Sequence, residues 1–220
     1  MAELRFDAVG FDLDGTLLDT APDFAWCLNA LLERRGRSRL PDDEIRAIVT
    51  EGSAGLVARA FDCSPEEPLF EAIRTEFLTI YRANLSRHTR PFPGIAELLT
   101  RLGTSGTAWG VVTNKPSPYA LPLLTDMALQ PGPGAIICPD HVSNPKPDPE
   151  AVLLACHRLG VAPEEAVMIG DHRRDIDAGR AAGTITVAAA YGYLDSGEDP
   201  NQWNAHHRVD SAAQLHELLF

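Results

Sequence analysis

The chain has 220 residues, 45% of them apolar and 23% charged, with a formal charge of -12. That is enough for one sizeable domain, or one domain with a smaller insertion, around a hydrophobic core, and it excludes intrinsic disorder. The acidity argues against nucleic acid as a partner, and no run approaches the roughly 20 apolar residues of a membrane span.

Four cysteines stand far apart without a CxxC, so they read as reduced, mostly buried thiols of a cytoplasmic protein and not as disulfides or a zinc site. No apolar signal region precedes the first motif, and the 17 prolines are scattered like loop punctuation. In chain order, the first element is AVGF at 8–11, short enough for a buried strand, ending at Asp12. A long stretch from Pro22 to about His88 then shows helical periods and no convincing strand. There Phe24, Leu28, Leu31 and Leu32 share one face, and Leu69, Ile73, Phe77, Ile80 and Tyr81 another. A crossover between parallel strands needs one helix, so this stretch is expected to be an inserted helical subdomain. After a Pro/Gly turn and a helix at 91–103, three more apolar runs follow: WGVV before Thr113, AII before Cys138 and AVMI before Gly170. Helical stretches follow Thr113, Pro149 and Asp171, and TITVAAA gives a fifth strand. This alternation predicts an α/β fold, a doubly wound parallel sheet of Rossmann-like type with an inserted helical cap. The expected division is 1–17 and 92–220 for the core and 18–91 for the cap.

Ligands of such sheets bind beyond the carboxyl ends of the strands. Asp12, Asp14, Thr113, Asn114, Lys146 and Asp171 would therefore share one rim. Asp12 and Asp14 are two apart and point the same way in an extended stretch. Thr113 can donate to a phosphoryl oxygen. Lys146 lies between two prolines that stiffen its loop, and Asp175 falls four residues after Asp171, on one side of a starting helix. Each piece alone has a plain structural reading: an Asx turn, a helix N-cap, a solvated loop lysine, a capping aspartate. Together they form a charge balance. Unpaired carboxylates at 12, 14 and 171 would repel one another, and an all-oxygen set suits Mg²⁺. In the insertion, EGSAGLVARAF carries Arg59, which either reaches the phosphate rim or lies on a helix surface. His172 is expected at the mouth of the site in a supporting or exposed role. Cys138 is expected as a small buried residue, and His206 and His207 as surface loop.

FDLDGT, VVTNK, Lys146 and GDHRRD, in this order, resemble the four motifs of the haloacid dehalogenase-like hydrolase superfamily across essentially the whole chain. The resemblance implies that Asp12 is the nucleophile and forms an aspartyl-phosphate, while Asp14 is the general acid and then base. It implies Mg²⁺ held by Asp12, the main-chain carbonyl of Asp14, and Asp171, with Asp175 ordering the metal surroundings or Lys146. Thr113 and Lys146 would bind phosphoryl oxygens, with Asn114 and Arg59 as further substrate contacts. Dehalogenase members lack an acid at the second aspartate, so Asp14 favours a phosphatase. The helical insertion resembles the cap of the phosphoglycolate phosphatase group. WGVVTNKP, IICPDHVSNPKPDPE, DIDAGRAAGT and DPNQW resemble the bacterial N-acetylmuramate 6-phosphate phosphatases of cell-wall recycling, whereas HTRPFPG is more like the phosphoglycolate enzymes. The expected substrate is a small phosphorylated metabolite, N-acetylmuramate 6-phosphate ahead of 2-phosphoglycolate, handled by a monomer or homodimer. A phosphosugar mutase and a non-catalytic phospho-receiver are the more distant alternatives.

Overall fold

The computed structural model describes residues 6–195 and 197–220, so the first five residues of the expected core segment lie outside it. Six strands form one parallel sheet: β1 (Ala8–Phe11), β4 (Ala108–Val112), β5 (Ala135–Ile137), β6 (Ala166–Gly170), β7 (Ile185–Ala189) and β8 (His207–Val209), in the order β5-β4-β1-β6-β7-β8. The register is continuous: Phe11 lies beside Val111 on one side and Ile169 on the other. Strands buried on both faces need apolar residues at successive positions, which is why they read as short runs without alternation. Val9, Phe11, Val111 and Ile169 pack to one face with helices α5 (Ile95–Ser105), α6 (Ser117–Met127) and α9 (Ala212–Leu219). Ala8, Val112 and Met168 pack to the other, against α7 (Glu150–Leu159) and α8 (Arg173–Ala182).

Between β1 and β4 the chain makes a second pairing. β2 (Leu18–Asp19) and β3 (Arg90–Pro91) run antiparallel, with Leu18 opposite Pro91. Between them lie α1 (Ala21–Arg34), α2 (Asp42–Arg46), α3 (Gly52–Phe61) and α4 (Phe70–Arg82). The apolar face of α4 is formed by Phe70, Ile73, Phe77, Ile80 and Tyr81. Leu69, expected on that face, is 66% exposed, because the helix begins one residue later and Phe70 takes the inward position. Phe24 stacks on Tyr81 at 4.3 Å between centroids, joining α1 to α4. The two linkers are tied together by Asp23 in the first turn of α1. Its buried carboxylate accepts from the backbone N–H of His88 (2.8 Å) and Thr89 (2.9 Å) and from the Thr89 hydroxyl (2.6 Å).

The sixth strand is a difference from the sequence reading. His207 belongs to β8, which pairs in parallel with β7, and the ring of His206 meets the Thr186 hydroxyl at 2.9 Å. With only Val209 of the three residues buried, no apolar run marks this edge strand. Among the described residues no helix is long and apolar enough to cross a membrane.

Candidate active site

Asp12 follows β1 directly, and its N–H extends the sheet pairing to the Ile169 carbonyl at 2.8 Å. Its Oδ1 accepts from Lys146 Nζ at 2.9 Å. The same ammonium donates to Asp175 Oδ1 (2.6 Å) and to the Val112 carbonyl (2.6 Å), so its three protons have three acceptors. Burial by itself would lower the Lys146 pKa, but the carboxylates of Asp12 and Asp175 outweigh it and hold it above the ordinary value. Asp175 Oδ2 accepts the His172 N–H at the start of α8, which fixes the carboxylate from behind. Asn114 Nδ2 donates to the Lys146 carbonyl at 2.8 Å and holds the lysine loop beside β4. Burial pushes the Asp12 carboxyl up to about 6, with the Lys146 charge opposing and Asp175 adding to the rise.

Asp171 sits past the end of β6, with Oδ1 accepting from the Thr16 hydroxyl (2.8 Å) and Oδ2 from the Tyr193 N–H (2.7 Å). Two glycines make room for it. A Cβ on Gly15, whose φ of +88° disfavours other residues in any case, would fall 2.0 Å from Asp171 Oδ2. A Cβ on Gly192 would fall 2.3 Å from that of Asp171. Burial raises the Asp171 pKa well above the carboxylate range, and the negative charges of Asp12 and Asp175 raise it further.

Asp14 is engaged quite differently. Its Oδ1 accepts from Thr20 Oγ1 (2.6 Å) and from Lys115 Nζ (2.8 Å), while among the described residues Oδ2 has no donor. Lys115 also donates to the Tyr81 hydroxyl at 2.7 Å and lies over the rings of Phe24 and Tyr81, 4.8 and 4.9 Å from their centroids. Lys115 comes from the loop after β4, and Tyr81 from α4. One oxygen of Asp14 is thus held from both the sheet and the inserted helices, and the other is left to face the cavity.

Asp12, Asp14, Thr113, Asn114, Lys146 and Asp171 all line a single cavity of about 220 Å³. Thr113 Oγ1 accepts the Lys115 N–H at 3.0 Å and donates to no acceptor among the described residues, so its proton is free for a ligand. The plain reading of Thr113 or Asn114 as a helix cap does not hold, because α6 begins only at Ser117. Arg59 is not brought to this cavity. It stays on the outer face of α3, where Glu51 takes its guanidinium through Nε (3.1 Å) and Nη2 (2.5 Å). Of the two readings of Arg59, the one that takes it to the rim is corrected in favour of the helix surface, where Glu51, eight residues earlier, holds its guanidinium. His172 lines the mouth, with Nδ1 accepting the Arg174 N–H at 3.1 Å and Nε2 3.3 Å from Asp195. Cys138 is buried, and that burial raises its thiol pKa to about 11.

Lys115, Tyr81, Tyr193 and Gly192 were given no role by the sequence reading. Lys115 only closes the VVTNK segment after the Thr-Asn pair, while Tyr81 reads as one more position of the apolar face of α4. Nothing local to either sequence signals their meeting across 34 residues.

The carboxylates of Asp12, Asp171 and Asp175 offer oxygens within 4.8 Å of one another. The donors are all oxygen, and the two carboxyls facing the cavity resist ionisation when crowded, which is the condition a hard divalent cation relieves. The residues fit a divalent ion. Asp175, with both oxygens already committed to Lys146 and the His172 N–H, supports this group from behind. The carboxylate of Asp14 lies outside this set and leaves only its main chain for such a role.

The signature of the family described as haloacid dehalogenase-like hydrolase matches residues 9–189. A Pseudomonas putida protein named N-acetylmuramic acid 6-phosphate phosphatase is 44% identical, over 98% of this chain and 97% of its own. A Xanthomonas campestris protein named phosphoglycolate phosphatase is 40% identical, over 97% of each. The crystal structure of a predicted phosphoglycolate phosphatase from Haemophilus somnus superposes with a TM-score of 0.85 at 26% identity, over 98% of each chain.

Proposed function

The chain belongs to the haloacid dehalogenase-like hydrolase family, and we propose that it is a Mg²⁺-dependent phosphomonoesterase acting on N-acetylmuramate 6-phosphate. The observation that carries the reaction class is the split pair of aspartates. Asp12 is held by Lys146 beside two further carboxylates, whereas Asp14, two residues on, is anchored by one oxygen and open at the other.

In this reading the Asp12 carboxylate attacks phosphorus, a new Asp–O–P bond forms and the ester P–O bond breaks. Asp14, through its unbound oxygen, gives its proton to the departing alkoxide. Water then attacks the aspartyl-phosphate, Asp14 takes a proton from that water, and inorganic phosphate leaves with Asp12 regenerated. The free hydroxyl proton of Thr113 binds a transferring oxygen, and Lys146 does so with the proton it otherwise gives to Asp12, against the charge that grows along the reaction. Mg²⁺, held by Asp12, Asp171 and the Asp14 main chain with Asp175 behind them, would supply positive charge against the phosphoryl group. Residues 18–91 act as a cap whose Tyr81 reaches into the site, so that water is excluded while the ester is bound.

The sugar is favoured over the two-carbon acid by the 44% relative and by the character of the cavity wall, where Phe24, Val49, Leu78, Tyr81, Pro116 and Tyr119 offer an apolar surface for a pyranose face. Phosphoglycolate is the second reading, and the 40% relative supports it. The reaction is assigned to a cytoplasmic enzyme of cell-wall sugar recycling. The test is the release of phosphate from N-acetylmuramate 6-phosphate, 2-phosphoglycolate and a set of hexose phosphates in Mg²⁺. The highest kcat/KM belongs to the first of these, and a strong preference for a plain hexose phosphate overturns both substrate readings.

A further inference from the structure

Four basic side chains line the cavity: Arg74, Lys115, Lys146 and Arg174. Two are neutralised by neighbouring carboxylates, Lys146 by Asp12 and by Asp175 behind it, and Lys115 by Asp14. Among the described residues, no carboxylate lining the cavity pairs with the other two. Arg174, from the first turn of α8, donates through Nη2 to the Thr50 carbonyl at 3.3 Å, a neutral acceptor. Arg74, on α4, donates through Nε to the Ser53 hydroxyl at 3.1 Å. Its carboxylate neighbour is Glu71, 3.3 Å away and with a side chain 69% exposed, so water screens that pair.

The two guanidiniums come from opposite sides, one from the cap and one from the core. Both end on one short stretch, Thr50 to Ser53, which itself lines the cavity at Thr50, Gly52 and Ser53. Tyr81, seven residues after Arg74 on α4, marks the other end, where it meets Lys115 and through it Asp14. At roughly 1.5 Å per residue, Arg74 and Tyr81 are about 10 Å apart along the helix axis. The cavity therefore has an acid-base end at Asp14 and a cationic end at Arg74 and Arg174, whose one carboxylate partner among the described residues is the exposed Glu71.

Resting on the phosphatase reading above, we propose that Arg74 and Arg174, with the Ser53 hydroxyl, form a specificity site for a carboxylate carried on the far side of a phosphosugar from its phosphate. In N-acetylmuramate 6-phosphate the lactyl carboxylate hangs from O3 and the phosphate from O6, with the pyranose ring between them. In 2-phosphoglycolate a single methylene separates phosphate oxygen and carboxyl carbon, too short a link to occupy both ends. Arginine suits the task because its planar fork matches a carboxylate in a bidentate manner. Both arginines recognise the substrate and take no part in bond breaking.

The experiment compares kcat/KM for N-acetylmuramate 6-phosphate and N-acetylglucosamine 6-phosphate, which is the same sugar without the lactyl acid. The proteins are the wild type, R74M, R174M and R74K, all in Mg²⁺, with circular dichroism and thermal melting as fold controls. Wild-type enzyme prefers the acid. R74M and R174M each cut that preference by about 10- to 100-fold, the scale of a lost hydrogen bond to a charged group, chiefly through KM. R74K keeps part of it. Equal losses on both sugars, or an undiminished preference in both Met variants, overturn the carboxylate site and leave the phosphatase reading standing. So does a wild type that prefers the lactyl-free sugar. Absence of turnover on both sugars and on p-nitrophenyl phosphate overturns the two together.

Discussion

Lys115→Met tests whether Asp14 works as a positioned proton donor. Asp14 Oδ1 is held by two donors, Thr20 Oγ1 at 2.6 Å and Lys115 Nζ at 2.8 Å, and the substitution removes the charged one while keeping an apolar stem against Phe24 and Tyr81. A hydrogen bond between charged groups contributes about 1.5–3 kcal/mol. If that energy serves to orient the acid, its loss appears in the transition state as a rate decrease of about 10- to 150-fold. The loss should depend on the leaving group. A sugar alkoxide needs its proton as the P–O bond breaks, whereas p-nitrophenolate leaves without one. The assay is kcat/KM of wild type and K115M on N-acetylmuramate 6-phosphate and on p-nitrophenyl phosphate, and the ratio between the two esters shifts by about tenfold or more against the sugar. Tyr81→Phe is the companion variant. It removes the hydroxyl that Lys115 also meets but leaves the Lys115–Asp14 pair, so its ratio moves far less. An identical fractional loss on both esters in K115M would refute the reasoning, because a general distortion of the site affects both alike.

Asp12→Asn abolishes turnover and leaves the far-UV circular dichroism unchanged; wild-type-like phosphate release in that variant removes Asp12 as nucleophile. Chelation stops hydrolysis and Mg²⁺ restores it. Independently of activity, Mg²⁺ raises the melting temperature of the wild type and raises that of Asp171→Asn much less, since a ligand that binds only the folded state stabilises it; equal shifts in the two proteins place the ion elsewhere. Asp23→Ala orphans the buried Thr89 N–H, while the Thr89 hydroxyl keeps the Leu85 carbonyl at 3.4 Å and water can satisfy the exposed His88 N–H. With one buried group left unsatisfied, it costs about 1–3 kcal/mol, read from the urea midpoint at constant slope. A shift of a few tenths of a kcal/mol shows that the linkers are not cross-tied there.

What could be read from the chain alone follows from periodicity and from chemistry confined to short segments. Strands β1, β4, β5, β6 and β7 are buried on both faces, so AVGF, WGVV, AII, AVMI and TITVAAA stand out as apolar runs. Asp12, Thr113 and Asp171 stand at or just past strand ends, which a parallel sheet carries to one edge, and Lys146 stands out in its loop between two prolines. The edge strand β8 escaped because only one of its three residues is buried. Other features depend on distances between segments that no local pattern encodes. The Lys115–Tyr81 contact joins a rim loop to the face of a distant helix, and the guanidiniums of Arg74 and Arg174 converge on Thr50–Ser53 from separate elements. Arg59 shows the same limit from the other side: its charge looked available in the sequence, but folding of α3 sets it against Glu51 on an exposed surface. A side chain's partners are set by where packing puts its backbone, and only the assembled tertiary structure decides that.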